Sequence, residues 1–247
     1  MNDEMNKLRK LIGVLMVIVV IMAYYVGYFS SKLGFDAPFI AGSGKPVANN
    51  QAAPTTPEEE FKQVEEAAYF ELKGNEVAKG NLNSNVVLVE FNDLQCPFCA
   101  RFHPTVESAV QKNNVKLVTK HFPLSFHQYA KDYSIMFECL AKNNGANQAY
   151  SFLNKLFEVN IEKRGNVNLE DGLNEAKKLG LSDASFNSCK SDSAITSKIQ
   201  ENFDEGIKLG INGTPAMFIL NTSTKKAVKL NGLVDESVLQ AEIEKIK

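Results

Sequence analysis

The sequence reads Val87-Leu88-Val89-Glu90-Phe91-Asn92-Asp93-Leu94-Gln95-Cys96-Pro97-Phe98-Cys99 through the segment that decides its fold. The apolar run over residues 86–91 predicts a buried strand, and residues 97–111 predict a helix. The two thiols therefore lie at a helix N-terminus, where unpaired N–H groups and the helix dipole favour a thiolate. This layout is typical of a dithiol/disulfide redox centre, although a lone C-x-x-C also serves as half of a zinc site.

The two cysteines are expected to have different roles. Cys96 is the predicted nucleophile because it lies at the N-terminal end of the helix. Pro97 suits the first helical turn, where the N–H group that proline lacks would have no partner. Cys99 returns to the same face of the helix three residues later, so it can attack a mixed disulfide on Cys96 and resolve it.

The rest of the chain predicts one α/β domain around this segment. Apolar patterns indicate a strand over 115–122, a helical block over 126–209, strands over 216–220 and 226–230, and a final helix opened by Asp235. The order is a β-α-β half, a helical block and a β-β-α half. We therefore expect a helical insertion, at about residues 125–210, inside a single α/β domain.

Composition excludes one class of partner. The chain has 247 residues, of which 44% are hydrophobic and 23% charged, which is an ordinary globular balance. The 27 basic and 29 acidic side chains nearly cancel, and no cluster of Lys and Arg with interleaved aromatics stands out. Nucleic acid is therefore not an expected partner.

The N-terminal region predicts a membrane anchor. Residues 11–29 carry no charge and would extend roughly 28 Å as a helix, close to the thickness of the bilayer hydrocarbon. A cleaved signal peptide is the alternative, but its apolar core is usually about 7 to 15 residues long and ends at a clean cleavage site. Lys7, Arg9 and Lys10 precede the run, so we expect residues 1–10 to be cytoplasmic and the remainder exported. The predicted location is the inner membrane, with a periplasmic domain.

A linker and a further helix are predicted between the anchor and the dithiol. Residues 30–56 are rich in Gly, Ser, Pro, Ala and Asn and indicate a flexible tether, which leaves residues 57–247 for the domain. Thr56-Pro57-Glu58-Glu59 resembles a helix N-terminus, and Phe61, Val64, Ala68 and Leu72 would lie on one face of the helix. That face could pack on its own domain or support oligomerisation.

All four cysteines lie in the part predicted to be exported, where disulfides persist. Their even number permits complete pairing, and the short spacing makes Cys96 and Cys99 one natural pair. The remaining pair is Cys139 with Cys189, whose loop of about 50 residues would make it the structural bridge. A pair of buried free thiols is the alternative.

With these residues identified, the chain resembles the DsbA-like thiol:disulfide oxidoreductases of the thioredoxin superfamily over roughly residues 75–247. The resemblance rests on the strand followed by C-P-x-C, on the helical insertion, and on Gly213-Thr214-Pro215-Ala216-Met217-Phe218-Ile219, which is similar to the family's cis-proline loop. It implies a thioredoxin-like fold, dithiol/disulfide exchange without a cofactor, and paired cysteines in the insertion.

The resemblance also implies roles for individual residues. Pro215 would be the cis-proline beside the dithiol, and Thr214, Pro97 and Phe98 would contact the substrate chain. Glu90 matches a buried carboxylate that the family uses near the resolving cysteine, and it would relay protons. A buried charge needs a partner, and Lys120 on the facing strand is the expected one. The alternative places Glu90 on a solvated strand edge.

Two departures from the family pattern leave the direction of electron flow open. Phe98 stands where the archetypal oxidase has a histidine that stabilises the thiolate, and Thr214 replaces an aliphatic residue. The expected function is oxidation of exported proteins, with a disulfide isomerase or reductase as the alternative. The expected partners are reduced or misfolded exported polypeptides and a membrane redox protein that re-oxidises the dithiol.

Two rival functions use the same residues differently. A zinc site would combine the dithiol with the other cysteines or with His103, His121 or His127, but structural zinc sites usually have two short-spaced ligand pairs, and no second pair exists. No metal is therefore expected; His103 is predicted to be a surface residue, and His121 and His127 to be structural or exposed. A non-catalytic chaperone would instead use apolar surface near the dithiol.

Overall fold

The computed structural model describes residues 63–247, and the fold below refers to that part of the chain. Its strands are β1 (Val64–Ala67), β2 (Ala78–Gly80), β3 (Val86–Asn92), β4 (Lys116–His121), β5 (Ala216–Asn221) and β6 (Lys226–Asn231). Its helices are α1 (Pro97–Asn113), α2 (Ala130–Asn144), α3 (Ala146–Glu162), α4 (Leu169–Lys178), α5 (Asp183–Lys190), α6 (Ser193–Lys208) and α7 (Glu236–Ile246).

The strands of this region form one sheet in the order β1-β6-β5-β3-β4-β2. Strand β3 lies near the middle, parallel to β4 and antiparallel to β5. Every residue of β3 is buried, because helices and loops cover both faces of the sheet. This explains why its sequence is a nearly continuous apolar run rather than an alternating one.

Two apolar layers enclose the sheet. Val86 and Leu88 of β3 belong to the larger core cluster, which contains the inner faces of α1 and α7 and most of the helical block. Val87, Val89 and Phe91 point to the opposite face, because successive strand residues alternate, and they pack with Phe122, Phe218 and nearby partly buried side chains. The dithiol helix α1 is therefore held on the face that carries the helical block.

Helices α2–α6 lie between β4 and β5 in the chain, where the sequence predicts the insertion. Asn168 begins α4 with a capping box, in which its side chain accepts from the Asp171 N–H and the Asp171 carboxylate accepts from the Asn168 N–H. A disulfide joins Cys139 of α2 to Cys189 of α5, with Cα atoms 5.9 Å apart. The bridge ties two helices of the insertion together.

The helix predicted from residue 57 onward is wrong in its described part. Residues 64–67 form strand β1, which pairs antiparallel with β6 through Val64↔Leu230 and Glu66↔Val228, and residues 68–77 contain no helix. The edge of β6 offers unpaired backbone groups, and pairing there satisfies the N–H and C=O groups of the segment. The pairing with β6 therefore outweighs the local tendency of apolar residues at helical spacing to form a helix.

The predicted cytoplasmic end, anchor and linker at residues 1–10, 11–29 and 30–56 lie outside the described residues. Between residues 63 and 247, no helix is both long enough and apolar enough to cross a bilayer.

Candidate active site

The two thiols of the C-x-x-C motif lie at the start of α1. Cys96 is the N-cap residue, with an extended backbone (φ −70°, ψ 122°), and Pro97 is the first helical residue. The Cys96 N–H donates to the Asp93 carbonyl at 3.0 Å, and the Cys96 carbonyl accepts from the Ala100 N–H at 3.1 Å. Both thiols are free, and Cys96 is 2% exposed whereas Cys99 is fully buried. The structure thus shows the reduced dithiol.

Hydrogen bonds set the ionisation of Cys96. The largest effect is the hydrogen bond with the Cys99 side chain, which outweighs burial and lowers the pKa of Cys96 from 9.0 to about 6. The Thr214 side chain and the backbone N–H groups of Cys99 and Phe98 add to this lowering. Cys96 is therefore a thiolate at neutral pH, which is the nucleophilic form.

The environment of Cys99 has the opposite effect. Burial is the largest cause and raises the pKa of Cys99 well above 9.0, and the hydrogen bond and negative charge of Cys96 raise it further. Cys99 therefore retains its proton while Cys96 is ionised. Any reaction in which Cys99 attacks or leaves must also move a proton on or off this buried sulfur.

The loop before β5 lies beside the dithiol, although it is more than 100 residues away in the chain. The Thr214–Pro215 peptide bond is cis, and the Thr214 carbonyl lies 3.6 Å from Cys96 Sγ. The Pro215 carbonyl accepts from the Gly232 N–H at 3.0 Å, which connects the loop with the end of β6. The structure thus brings together the two distant motifs, C-P-x-C and the Thr214–Pro215 loop, on which the resemblance to the DsbA-like family rests.

Phe98 is the exposed residue of the motif. Its side chain is 49% exposed, and the Arg101 guanidinium lies over its ring at 4.6 Å from the centroid. Pro97 is partly buried and lines a cleft of about 340 Å³ together with Arg101 and Gly165. The surface around the buried Cys96 is therefore apolar with a cationic margin.

Glu90 is fully buried on the central strand β3, so it does not lie on a solvated edge. Lys120 is not its partner: Lys120 is opposite Phe91 in the β3–β4 register and faces the other side of the sheet. Lys120 instead pairs with Glu205 at 2.6 Å and Glu76 at 3.5 Å. The partner of Glu90 is His103, whose Nδ1 lies 3.4 Å from Glu90 Oε2.

The prediction that His103 lies on the surface is wrong, because its side chain is 4% exposed. Its Nε2 lies 2.8 Å from Asn154 Oδ1 and 3.1 Å from Glu107 Oε1. Burial opposes a positive charge here, but the close carboxylates of Glu107 and Glu90 outweigh it and raise the pKa of His103 to about 9. The sequence carried a signal for this position, since His103 follows Cys99 by one helical turn on the same face of α1.

Asp93, which the sequence did not single out, also borders the dithiol. Its buried carboxylate accepts from the Gln95 and Leu124 N–H groups at 2.8 Å each and lies 2.7 Å from His127 Nδ1. The hydrogen bond to Asp93 raises the pKa of His127 despite partial burial, and the charge of Cys96 adds to the effect. Asp93 thereby fixes the strand-to-helix turn that presents Cys96.

The histidines considered for a zinc site each pair with a carboxylate. His121, which is buried, lies 2.9 Å from Glu138, and His103 and His127 have the partners given above. No group of three or more His, Cys, Asp or Glu side chains within residues 63–247 is placed to hold a metal ion.

Comparison with known proteins identifies the family. A family model described as thioredoxin matches residues 72–235, which is more than half of the chain. The solved structure of DsbA2 from Pseudomonas aeruginosa superposes with a TM-score of 0.60 at 26% identity, covering 72% of this chain and 97% of that one. The chain thus contains nearly the whole architecture of that protein.

Two curated relatives match this chain over less than two thirds of their own length. A putative protein-disulfide oxidoreductase of Rickettsia typhi is 24% identical over 163 residues, which are 63% of this chain and 58% of that protein. A Na⁺/H⁺ antiporter of Salinispora arenicola is 27% identical over 143 residues, which are 57% of this chain but 21% of the antiporter. The family match and the shared architecture show that this chain belongs to the thioredoxin family and has the fold of the DsbA-type oxidoreductases.

Proposed function

We propose that this protein is a membrane-tethered thiol:disulfide oxidoreductase that introduces disulfide bonds into exported proteins. The observation that carries the proposal is the contrast between the two thiols, since the pKa of Cys96 is lowered to about 6 while that of Cys99 is raised. One sulfur is thereby prepared as nucleophile and leaving group, and the other as its resolving partner.

In the oxidative direction, a substrate thiolate attacks Cys96 Sγ of the Cys96–Cys99 disulfide. The sulfur–sulfur bond of the pair breaks, its electrons pass to Cys99, and Cys99 takes up a proton. A second substrate thiolate then attacks the substrate sulfur of the mixed disulfide and releases Cys96 as a thiolate. The low pKa of Cys96 favours that release because a weakly basic thiolate is the better leaving group.

The loop at Thr214 and Pro215 would hold the substrate chain in this scheme. It lies 3.6 Å from the nucleophilic sulfur through the Thr214 carbonyl, close enough for an extended peptide attached to Cys96 to contact its backbone. Phe98 and Pro97 would supply the apolar contact on the other side of the sulfur. A separate membrane redox protein would re-oxidise the dithiol after each cycle.

The test is to trap the redox state of Cys96 and Cys99 in intact cells with an acid quench followed by a thiol-alkylating reagent. We expect the pair to be mainly oxidised at steady state, because an oxidase must be recharged faster than it is consumed. A mainly reduced pair contradicts the oxidase direction and favours an isomerase or reductase.

Matched variants make the trapping specific. Cys99→Ala should accumulate mixed disulfides between Cys96 and substrates, because Cys96 can still attack a substrate disulfide but Cys99 is not there to release the product, whereas Cys96→Ala should accumulate none. If exchange with thiol substrates persists in Cys96→Ala, the redox mechanism itself is wrong, and a chaperone role becomes the better explanation. The disulfide between Cys139 and Cys189 is present in both variants, so mobility shifts report only the dithiol.

The tether and the location are proposed from the uncharged run at residues 11–29 and the three preceding cations. We expect the full chain to remain in the membrane fraction after alkaline extraction, and a chain beginning at residue 57 to be released. After an impermeant reductant has released Cys96 from mixed disulfides in Cys99→Ala, a membrane-impermeant maleimide should label it from the periplasmic side. Extraction of the full chain, or labelling only after the inner membrane is permeabilised, would contradict this location.

A further inference from the structure

Two arginines line one cleft beside the dithiol. The chain has three arginines, at positions 9, 101 and 164, so these two are the arginines of residues 63–247. Arg101 on α1 and Arg164 directly after α3 both line the cleft of about 340 Å³ that also contains Pro97. None of the residues between 63 and 247 that line this cleft is acidic. Two positive charges therefore stand together at the edge of the active site.

Neither arginine takes part in an ion pair within the described part of the chain. There, the cations of the ion pairs are lysines and histidines. Arg101 and Arg164 are both exposed. The guanidinium of Arg101 stacks over the Phe98 ring at 4.6 Å from the centroid, which uses its face, whereas its N–H donors point outward from its edge. Both guanidinium groups are therefore available to bind an anion.

The turn that carries Arg164 packs directly on the dithiol motif. At the end of α3, the Arg164 N–H donates to the Ile161 carbonyl at 3.1 Å, and the Gly165 N–H donates to the Asn160 carbonyl at 2.9 Å. A Cβ atom at Gly165 would lie 3.5 Å from Cβ of Pro97, so the turn and the motif are in contact. Arg164 has a φ of 53°, a left-handed conformation that favours glycine. An outlier of this kind points to a use for the side chain.

The cleft is also held close to the nucleophilic sulfur. Asn160, which is fully buried near the end of α3, donates from its side chain to the carbonyl of Gln95 at 2.8 Å, directly before Cys96. Arg101 lies five residues after Cys96, which is about 7.5 Å along the axis of α1. An extended peptide advances about 3.3 Å per residue. A side chain about two or three residues away from a cysteine bound to Cys96 therefore reaches the cleft.

The chemistry of the cleft fits the carboxylate of a polypeptide. A guanidinium presents its N–H donors in a planar fork that matches the two oxygens of a carboxylate, which an ammonium group does not. The volume of about 340 Å³ lies at the lower end of the roughly 300 to 1,000 Å³ typical of small-molecule sites, so it suits a single side chain. Because Pro97 belongs to both the dithiol motif and the cleft, the ligand that reaches the arginines most directly is a polypeptide already attached to Cys96.

We propose that Arg101 and Arg164 bind the carboxylate of an aspartate or glutamate that lies a few residues from the reacting cysteine of the substrate polypeptide. This proposal rests on the proposed exchange function. It assigns a substrate preference to the site, namely cysteines with an acidic neighbour, and it applies in either direction of electron flow. The loop at Thr214 and Pro215 would hold the backbone of the substrate, and the cleft would hold one of its side chains.

The experiment uses the reduced full chain in micelles of a non-ionic detergent and short peptides whose single cysteine carries a 2-pyridyl disulfide. Cys96 Sγ attacks the peptide sulfur, a bond forms between them, and the pyridyl sulfur leaves as 2-thiopyridone, whose absorbance gives the rate. Cys99 then attacks Cys96 and releases the peptide thiol, so the dithiol loses the two electrons that the peptide disulfide gains. The mixed disulfide is the same intermediate as in substrate oxidation, and the leaving group carries no carboxylate of its own.

The peptides have blocked termini and carry glutamate, glutamine or lysine two residues before the cysteine in one set and two residues after it in a second set. Each rate constant at pH 7 and low ionic strength is divided by that of the same peptide with dithiothreitol, which cancels differences in intrinsic reactivity. For the wild type, we expect the glutamate peptide of at least one set to react about 10-fold faster than its glutamine counterpart. We expect the lysine peptide of that set to react more slowly than both.

Variants assign the preference to the cleft. Arg101→Gln combined with Arg164→Gln should reduce the ratio of the glutamate to the glutamine peptide to about 1, and Arg101→Glu combined with Arg164→Glu should favour the lysine peptide. Because each ratio compares two peptides with the same protein, any change in the reactivity of Cys96 cancels. Lys163→Gln is the matched control: Lys163 precedes Arg164 but pairs with Asp171 and does not line the cleft, so the wild-type ratio should remain.

The proposal is overturned if the wild type reacts equally fast with the glutamate and glutamine peptides of both sets, or if the preference survives in the folded double glutamine variant. It is also overturned if Lys163→Gln loses the preference as fully as the arginine variants do, because the effect would then be one of overall charge. Failure of the proposed function gives a different result. In that case the wild type would react with every peptide no faster than Cys96→Ala, which would overturn both proposals.

Discussion

At the scale of single residues, the site depends on two sulfurs that share one hydrogen bond. The same contact that lowers the pKa of Cys96 raises that of Cys99, because the thiol of Cys99 donates to the thiolate of Cys96. The division of roles between nucleophile and resolving group therefore follows from position on the helix, with Cys96 at the N-cap and Cys99 inside the first turn.

This arrangement predicts the titration of the reduced protein. Thiolate absorbance near 240 nm should rise with a midpoint at about pH 6, from Cys96. Cys99→Ala should move the midpoint upward, since it removes the largest of the effects that lower the pKa of Cys96. Cys96→Ala is the control and should abolish the transition. A midpoint that stays at pH 6 in Cys99→Ala would mean that backbone groups, rather than Cys99, stabilise the thiolate.

Sequence patterns identified the residues of the dithiol but not all of their neighbours. Cys96, Pro97 and Cys99 could be assigned because their spacing and the helix start are local features. The β3–β4 register sets Lys120 opposite Phe91 and on the other face. The residue opposite Glu90 on β4 is Thr119, and the charged partner of Glu90, His103, comes from α1, so the pair depends on how the helix packs on the sheet and not on a local pattern in the strand.

At the scale of elements, α6 packs closely on the sheet through a glycine. A Cβ atom at Gly206 would lie 2.7 Å from ring atoms of Phe122, and Phe122 also stacks on Phe203 of the same helix at 4.6 Å between centroids. The absence of a side chain at position 206 thus lets the helix approach the strand that follows the dithiol helix.

Gly206→Ala should therefore destabilise the protein although alanine favours helix. We expect the free energy of unfolding to fall by about 1 to 3 kcal/mol, the usual cost of overpacking, measured by denaturant titration. Ser197→Ala, at an exposed position of the same helix, reports helix propensity alone and should leave stability unchanged or slightly higher. Equal stability of the glycine variant and wild type would show that Phe122 can move aside.

The disulfide between α2 and α5 predicts a second effect at this scale. Its sequence separation is 50 residues, and closing such a loop restricts the unfolded chain by about 4 kcal/mol. Cys139→Ala combined with Cys189→Ala should lower the free energy of unfolding by about that amount, while the titration of Cys96 remains near pH 6. A change in the Cys96 titration would instead couple the bridge to the active site.

Elements with strong local signals were predictable, and those formed by distant pairing were not. The observed β3 and α4 match the apolar run at 86–91 and the Asn168 cap because both signals lie within the element. Strand β1 has no such signal: Val64–Ala67 is a strand because β6 is available to pair with it. Its residues fit a helix equally well when considered alone.

At the scale of the whole molecule, burial of His103 between two carboxylates makes stability depend on pH. Its pKa is about 9 in the folded protein against about 6.5 when unfolded. The stabilisation is thus complete below pH 6.5 and is lost as pH rises through 9. We expect a loss on the order of 3 kcal/mol between these limits, measured by denaturant titration, and a flatter dependence in His103→Gln. A wild-type stability that is constant over this interval would contradict the raised pKa.

The bridge between Cys139 and Cys189 has a consequence for how the protein matures. Under the proposed activity, each newly made copy is itself a client of the reaction, because two of its own thiols must be joined before the insertion is complete. Earlier copies, re-oxidised by the membrane redox protein, can supply that oxidising step, so the bridge should form faster in later copies as oxidised enzyme accumulates.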